Sequence, residues 1–441
     1  MRRLAIAVWA CCFFSAAQAA AQTQPASLAT LFSDIYGPNG LVLSSDDVTL
    51  DGSTHAAHFN SAFQSDFRLV NIALTSQLTS VPLPSPASGF TYQFDPATGT
   101  FVRSTRSFGP ILSDRAETIG KGRFAFGFSN QFFSFDHLDG VSLAAIPAVF
   151  RHDSFESGGG RADVVSTLNT IEATVSQFTG ALTYGLTSRI DLSLAVPIVR
   201  THLSLLSNAK ILRLGTGANV QVHYFQDPAA LGGYGSTAQF FAEGSAGGVG
   251  DLLVRMKTTV IREGTTRALA AGVDVRLPTG DEQNLLGAGA AGLRPFAAFS
   301  SSYGLFAPHA NVAYQWNGRS VLAGDVRADI EGELPDQFLY AAGTDLGVNS
   351  RFSIFFDVLG QRVLNSPQLS KYTLAARGVA GSADLPDIRF ANGSYWSTNG
   401  ALGFKANVAP KVLVNFNMRF NISGGGLSDR ITPLLGVEWA F

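Results

Sequence analysis

The sequence predicts an all-β fold: a transmembrane antiparallel β-barrel with an N-terminal plug or periplasmic extension. Three observations support this prediction. Charged residues make up only 15% of the chain, yet the mean hydropathy is a modest +0.17. Long segments alternate apolar and polar residues from Gly122 onward, and the chain ends on an aromatic residue, Phe441. Alternation averages out the hydropathy of a membrane strand, so a barrel combines low charge with modest hydropathy.

The composition excludes several other classes of protein. A formal net charge of −2 gives no basic excess for holding nucleic acid, and no nucleic-acid partner is expected. Two cysteines cannot cross-link a scaffold of 441 residues. Only the extreme N-terminus approaches the roughly 18 apolar residues that a membrane helix requires. The class that remains is a membrane protein built from β-strands.

The N-terminus has the pattern of a secretory signal peptide. Arg2 and Arg3 precede an apolar stretch from Leu4 to Phe14, and small-x-small cleavage motifs follow up to Ala21. A helical anchor is the alternative, but the apolar stretch is short for spanning a membrane. We therefore predict that residues 1–21 are removed, both cysteines with them, and that the mature chain is exported to the outer membrane of a Gram-negative cell.

Residues 22–120 differ from the remainder of the chain. Pro82, Pro84 and Pro86 lie close together, and proline cannot donate to a regular ladder of backbone hydrogen bonds. We predict that residues 22–120 form a separate segment, either periplasmic or folded into the barrel as a plug. The barrel itself is assigned to residues 121–441.

The alternation from Gly122 onward predicts the barrel strands. Phe124, Phe126 and Phe128 occupy even positions, with small or polar residues between them. Most such runs reach about 11 residues, which suits a tilted membrane strand, whereas strands of soluble sandwiches average about 5–6. Twelve runs are predicted: from 124, at 168–184, 190–206, 249–262, 266–278, 293–302, 305–316, 338–348, 351–364 and 395–406, from 411 to 422, and from 431 to 441.

The connections between these runs alternate between short and long, as in outer-membrane barrels. Long external loops are predicted at 207–248 and 365–394, among others. The segment 317–337 also contains an alternating stretch, but its outward face would be weak, so we assign it to an external loop with a hairpin arm. A hairpin around 65–105 would add two strands, which makes fourteen the alternative strand count.

The C-terminal strand resembles the signal by which outer-membrane proteins are recognised for assembly. Leu435, Val437, Trp439 and Phe441 lie at alternate positions and would all face lipid. The expected partners are therefore outer-membrane lipid and the barrel assembly machinery.

A set of polar residues lies opposite the apolar face of the predicted strands. Charged groups at membrane depth are costly unless they face water or protein, so these side chains should point into the lumen. A salt-bridge network and a transport path are equally consistent with them, and the presence of both signs predicts no strong ion selectivity. The lumen-lining candidates are Asp251, Arg255, Lys257, Asp274, Arg276, His309, Asn311, Gln315 and Arg419.

No motif predicts catalysis, a metal or a cofactor. Residues 287–292 match G-x-G-x-x-G, but Arg294-Pro295 and a β pattern follow where a dinucleotide site needs a helix, so a glycine-rich loop is predicted. The seven histidines have no metal-ligand spacing. We predict a non-enzyme that passively transports small hydrophobic ligands. The alternatives are a structural or surface-interaction barrel and, third, an outer-membrane hydrolase.

Several strings resemble a known outer-membrane family, the one named for the meta-pathway of phenol degradation. They are Tyr184–Leu192, Gly250-Asp251-Leu252, Gly272–Asp281 and Pro308–Tyr314. The resemblance covers roughly residues 120–441. It implies a barrel related to the transporters of long-chain fatty acids and aromatic hydrocarbons, with a role in uptake of hydrophobic compounds. It assigns no binding residues.

Overall fold

A computed structural model describes residues 27–37, 39–47, 59–66, 69–80, 92–95, 100–103, 108, 110–152, 155, 159–264 and 266–440. The helices are α1 (Leu31–Asp34), α2 (Ala62–Asp66) and α3 (Leu69–Ser80), with 3₁₀ turns at Leu28–Thr30, Gly159–Ala162 and Leu231–Gly233. The strands are β1 (Phe59–Asn60), β2 (Tyr92–Asp95), β3 (Thr100–Arg103), β4 (Phe124–Leu138), β5 (Val141–Ser142), β6 (Ile146–His152), β7 (Val164–Gly185), β8 (Ile190–Leu212), β9 (Phe225–Gln226), β10 (Tyr234–Gly235), β11 (Thr237–Val249), β12 (Leu252–Glu263), β13 (Arg267–Leu277), β14 (Gly292–Ser301), β15 (Phe306–Asn317), β16 (Arg319–Asp325), β17 (Ile330–Glu333), β18 (Gln337–Asn349), β19 (Phe352–Gly378), β20 (Gly381–Ala409), β21 (Val412–Asn421), β22 (Leu427–Asp429) and β23 (Ile431–Ala440). The signal peptide and Phe441 lie outside the described residues.

Twelve antiparallel wall strands form a closed barrel, which confirms the predicted fold class and strand count. β11 and β12 together make one wall strand, because both pair with β8 and only Gly250 and Asp251 interrupt them. β23 closes the barrel against β4, from Leu434 opposite Gln131 to Ala440 opposite Ala125. The wall order is β4, β7, β8, β11–β12, β13, β14, β15, β18, β19, β20, β21 and β23.

The alternative count of fourteen is wrong. The region around 65–105 contains helix α3, and β2 pairs with β3 in a separate two-stranded sheet. Helix α3 is buried on all sides, from Val70 to Gln77. It therefore packs inside the protein and adds no strand to the wall.

The outer face of the barrel is apolar, as the alternation predicts. In β4, Phe124, Phe128 and Phe132 are exposed, whereas Ser129 and Gln131 between them are buried. The same division recurs along the other wall strands. The wall therefore presents its aromatic and aliphatic residues outward and its polar residues to the lumen, which is the arrangement that lipid requires.

Two predicted loops are largely strand, so their assignment is corrected. Strand β8 continues to Leu212 and the wall resumes at Thr237, within the predicted loop 207–248. β19 and β20 pair continuously across 365–394, apart from an irregularity between Val363 and Ser366, up to Gly378 opposite Gly381. Backbone pairing does not require lipid, so the wall extends well beyond the apolar band. In 317–337, by contrast, β16 and β17 form a hairpin arm outside the wall, as predicted.

The two ends of the barrel differ, and we name them by their connections. The short-turn end carries the connections near residues 187, 265, 304, 350 and 410; the long-loop end carries the others. Within the described residues, no helix is both long and apolar enough to cross a membrane.

The described parts of the N-terminal segment (residues 22–120) contact both ends of the lumen. At the long-loop end, the amide of Ala29 donates to the carbonyl of Gln283 (2.9 Å), and Nε2 of Gln77 donates to the carbonyl of Leu427 (2.6 Å). At the short-turn end, the amide of Phe108 donates to the hydroxyl of Ser353 at 3.1 Å. β4 begins directly after this segment.

Candidate functional site

A row of alternating charges crosses three neighbouring strands inside the barrel. Arg255 of β12 lies opposite Asp274 of β13, which lies opposite Arg294 of β14. Nε of Arg255 is 2.6 Å from Oδ1 of Asp274, and Nη2 of Arg294 is 2.7 Å from its Oδ2. Asp114 of the N-terminal segment accepts from Nη1 of Arg255 at 2.7 and 2.8 Å. The register of the sheet thus builds a compensated network on the inner face.

Lys257, one step nearer the short-turn end, holds the N-terminal segment by its backbone. Its Nζ donates to the carbonyls of Arg115 (3.0 Å) and Glu117 (2.9 Å) and lies 4.0 Å from Asp191. A lysine has three donors and no acceptor, so these carbonyls suit it without a second buried carboxylate.

A second charged group surrounds His309 in the same half of the lumen. Nε2 of His309 is 2.6 Å from Oδ1 of Asp357, and its Nδ1 is 3.9 Å from Asp345. Nη2 of Arg115 reaches Asp345 at 3.3 Å. Further along the wall, Nζ of Lys405 lies 2.8 Å from Glu438. The short-turn half of the lumen is therefore lined by buried ion pairs.

Asp251 and Arg276 lie toward the long-loop end and organise a loop. Asp251 accepts from the amides of Gly280 (3.0 Å) and Ala288 (2.8 Å), and Nε of Arg276 is 3.5 Å from it. A Cβ at Gly287 would collide with the Asp251 carboxylate. The glycine-rich stretch is thus a loop wrapped around a carboxylate, as the sequence predicts for residues 287–292.

The remaining candidates have distinct partners. Asn311 brackets Asp114, donating to its carbonyl at 3.0 Å and accepting from its amide at 2.9 Å. Gln315 donates to Asn317 at 2.9 Å. Arg419 donates to the hydroxyl of Thr432 at 3.3 Å and lies over the ring of Phe133.

A cavity lies between these groups in the middle of the lumen. It encloses about 800 Å³ of unoccupied space, part of it open to solvent. Its lining combines apolar and polar side chains, together with Asp114 of the N-terminal segment. The lining includes Leu112, Phe296, Leu359, Gln361, Asn399 and Arg419.

The long-loop half of the lumen is filled by an apolar core. Phe32 and Phe63 of the N-terminal segment are fully buried in one cluster with wall residues such as Phe150 and Leu203. Tyr36 packs edge-on against Phe150, and its hydroxyl lies 2.8 Å from that of Ser207. Hydrophobic packing fills the lumen around the segment here, and polar contacts such as the ion pair of Asp34 with Arg327 accompany it.

Outside the apolar band, Asp163 anchors the loop after β8. It accepts from the amides of Gly215 (2.8 Å) and Thr216 (3.1 Å), from the Thr216 hydroxyl, and pairs with Nδ1 of His223 at 2.8 Å. Burial raises the pKa of Asp163, but these hydrogen bonds outweigh it and lower the pKa below the ordinary value of 3.8.

The C-terminal strand presents the predicted residues on the outer face. Leu435, Val437 and Trp439 are exposed there, whereas Phe441 lies outside the described residues. Recognition of this strand by assembly machinery stays a prediction.

Several lumen residues were not singled out from the sequence, namely Arg294, Asp345, Asp357, Lys405 and Glu438. Each alternates with an apolar neighbour, as Asp357 does with Phe356 and Glu438 with Val437, so the alternation carried the necessary signal. Asp114 and Arg115 had no such signal.

Within the described part of the chain, no group of three or more His, Cys, Asp or Glu residues could hold a metal ion.

Comparison with solved structures returns outer-membrane barrels. The COG4313 outer membrane channel from Pseudomonas putida F1 is 13% identical, with a TM-score of 0.44, over 75% of this chain and 100% of that one. A Pseudomonas aeruginosa FadL homologue is 10% identical (TM-score 0.31; 80% and 94% covered), and the CymD monoaromatic hydrocarbon channel is 10% identical (TM-score 0.28; 82% and 98% covered).

Sequence identities and TM-scores this low do not support an argument about the fold. The fold of the present chain is therefore established by its own strand pairing. No curated protein matches the sequence. The model of the family described as "Putative MetA-pathway of phenol degradation" matches residues 151–361. The resemblance identified from the sequence, to the family of the meta-pathway of phenol degradation, is thus confirmed over residues 151–361.

Proposed function

We propose that this protein is a passive outer-membrane transporter of small hydrophobic compounds and that residues 22–120 narrow its lumen. The observation that carries the proposal is the mid-lumen cavity, which is bordered by the N-terminal segment rather than by the wall alone. The similarity to a monoaromatic hydrocarbon channel is consistent with it. No catalytic step or energy source is invoked.

The N-terminal segment is held in the short-turn half by non-covalent contacts that can be broken one at a time. Asp114 and Arg115 pair with Arg255 and Asp345, and Lys257 holds two backbone carbonyls. Such contacts fix the position of the N-terminal segment. They can also break and re-form without disrupting the strand pairing of the wall. The proposal is therefore a gated path, with the gate supplied by this segment.

Permeability of reconstituted vesicles tests the proposal. The full chain is compared with a variant in which residues 22–120 are deleted and the signal peptide is retained, and with the double variant Asp114→Asn/Arg115→Gln. Both variants should raise conductance or uptake of a small aromatic hydrocarbon. Arg377→Gln, on the outer hairpin of β19 and β20, is the control and should behave as the wild type. Equal permeability of the full chain and the deletion variant would contradict gating.

A sealed structural or surface-interaction barrel is the second candidate. The compensated row Arg255–Asp274–Arg294 favours it, because paired charges fill a lumen without requiring a passage. Planar-bilayer recording separates the two functions, since a sealed barrel gives no channel events even after deletion of residues 22–120.

Membrane localisation is tested directly. An outer-membrane barrel should require detergent for extraction and should migrate faster on a gel before boiling than after.

Replacing Trp439 by Ser should reduce the folded fraction in cells if the C-terminal strand is recognised by assembly machinery. Ser substitution of Trp316, which is also exposed on the outer face but lies in β15, is the matched control.

A further inference from the structure

A fully buried charged group joins the wall to the N-terminal segment around His309. The side chains of His309, Asp345 of β18, Asp357 of β19 and Arg115 of the N-terminal segment are each 3% exposed or less. Opposite His309 on β14 lies Ser300, which carries no charge. The further charges that face this group come from the ion pair formed by Lys405 of β20 and Glu438 of β23, whose atoms lie 2.8 Å apart.

The surroundings of the His309 ring require a hydrogen at each of its nitrogens. Nδ1 is 3.3 Å from the carbonyl oxygen of Ala307 and 3.9 Å from Oδ2 of Asp345, and because both atoms are acceptors, Nδ1 carries a hydrogen. Nε2 is 2.6 Å from Oδ1 of Asp357, a distance at which a proton lies between the two atoms. The pair of His309 and Asp357 therefore holds one proton more than a neutral imidazole beside an ionised carboxylate.

That proton balances the charge of the group. Asp345, Asp357 and Glu438 carry three negative charges, whereas Arg115 and Lys405 carry two positive ones, and the proton held at the imidazole brings the sum to zero. Oδ1 of Asp345 and Oδ2 of Asp357 have no hydrogen-bond partner among the described residues. The two aspartates therefore depend on the nearby positive charges, and few donors are in place to make up for the loss of one.

Of the three positive charges, only that of Arg115 belongs to the N-terminal segment. His309 and Lys405 lie on wall strands whose positions are fixed by backbone pairing. Withdrawal of Arg115 would leave the wall with one uncompensated negative charge in a buried site. A buried carboxylate that loses its cation binds a proton more readily, and Asp345, the partner of Arg115 at 3.3 Å, is the group directly affected.

We propose that the wall group of His309, Asp345 and Asp357 exchanges Arg115 for a proton, so that acid favours release of the N-terminal segment. The docked state holds one proton in this group and the released state holds two, the second coming from solvent and binding to Asp345. The inference rests on the proposed function, in which the N-terminal segment is the gate, and it supplies that gate with a chemical signal. Uptake of one proton on release changes the docking equilibrium by at most about tenfold per pH unit.

The accessibility of an introduced thiol measures release without any measurement of transport. Ser113→Cys places the thiol two residues before Arg115, at a side chain that is only 7% exposed and whose hydroxyl has no hydrogen-bond partner among the described residues. Cys11 and Cys12, the natural cysteines, lie in the predicted signal peptide. The exported protein, folded in lipid vesicles, is alkylated with iodoacetamide, and the rate at each pH is divided by the rate for the same protein unfolded in urea. This normalised rate should rise as the pH falls from about 8 to about 5, by up to about tenfold per pH unit.

Variants in the Ser113→Cys background assign the effect. Arg115→Gln should give a high normalised rate that does not depend on pH, because its docked state already binds the second proton. Arg115→Lys keeps the charge and should keep the pH dependence. Asp114→Asn loses the neighbouring ion pair with Arg255 and should raise the rate while the pH dependence remains. His137→Gln alters a His–Asp pair that is 38% exposed, and as the matched control it should follow the parent protein.

The outcomes separate this inference from the proposed function. A normalised rate of the Ser113→Cys protein that does not change with pH overturns the proton exchange and requires no further variant to fold. A pH dependence that survives in Arg115→Gln, or one that disappears in Asp114→Asn, overturns the role of Arg115. Equal vesicle permeability of the full chain and of the chain without residues 22–120 contradicts the gate itself, whereas the thiol measurement reports only whether docking is linked to a proton.

Discussion

The two halves of the lumen differ in the contacts that bury most of the N-terminal segment in each. In the long-loop half, Phe32 and Phe63 are buried among aromatic and aliphatic wall residues. In the short-turn half, Asp114 and Arg115 meet charged wall residues of opposite sign. Apolar burial is non-directional, whereas desolvated ion pairs demand one geometry. The first half therefore contributes affinity for the segment, and the second fixes its position.

The largest expected effect lies in the short-turn half, at Asp274. Asp274→Ala would leave Arg255 and Arg294 buried without their shared carboxylate, and removing one partner of a buried pair costs about 3–5 kcal/mol. We expect the unfolding free energy in urea, measured from lipid vesicles, to fall by that order.

Asp274→Asn is the matched variant, since it keeps the shape and loses the charge. If both variants unfold like the wild type, the row is not a stabilising network and the contrast between the two halves fails.

The next effect tests the long-loop half. Phe63→Ala removes a fully buried ring, and such truncations cost about 3 kcal/mol or more. The barrel wall closes without this residue, so the loss should appear as release of the N-terminal segment. Limited proteolysis should cleave that segment faster while the wall stays resistant.

Phe63→Leu, which keeps most of the buried volume, should be cleaved at nearly the wild-type rate. Faster cleavage of the wall itself would show that the segment supports the barrel instead of only occupying it.

Outside both halves, Asp163 should have an intermediate effect that depends on pH. Asp163→Asn should lower the free energy of unfolding by about 2 kcal/mol, which is the contribution expected of hydrogen bonds to a charged group. The folded-state pKa of Asp163 is below its ordinary value, so its contribution is full above that value and is lost as the pH falls through the folded pKa.

The difference in unfolding free energy between wild type and variant, measured by thermal unfolding, should therefore be constant from neutral pH down to about pH 4. Below that pH the difference should shrink. A difference that already vanished well above about pH 4 would contradict a lowered folded-state pKa for Asp163.

The smallest effect belongs to an ion pair that water reaches. Arg377 and Asp384, on the outer hairpin, are 55% and 62% exposed. Exposed pairs contribute about 0–1 kcal/mol and are screened by salt, so Arg377→Gln should leave the unfolding free energy nearly unchanged. A loss comparable to that of Asp274→Ala would mean that burial does not distinguish the ion pairs of this barrel.

The sequence predicts the wall well and the segment inside it poorly, for one physical reason. Alternation at Phe124, Phe126 and Phe128 reports a local requirement, namely that one face meets lipid. The inward direction of Arg255 and Asp274 follows from the same rule. The pairing of Asp114 with Arg255 depends on how residues 141 positions apart meet, and no local pattern encodes that.

The lengths of the strands were underestimated for a related reason. Pro367 and Pro386 lie within the paired arms of β19 and β20, where polar residues surround them. Outside the membrane, backbone hydrogen bonds alone are enough to pair the two strands of a hairpin. The strands therefore continue there without an apolar outer face.

Closure of the barrel between β23 and β4 has a consequence for how the molecule is made. β4 leaves directly from the N-terminal segment, and the seam beside it seals only when Val437 and Phe128 meet. Residues that lie between the first and last strands at that moment are enclosed, and later entry would have to pass the charged rows of a finished lumen. Closure of the wall thus encloses whatever part of the N-terminal segment already lies between β4 and β23.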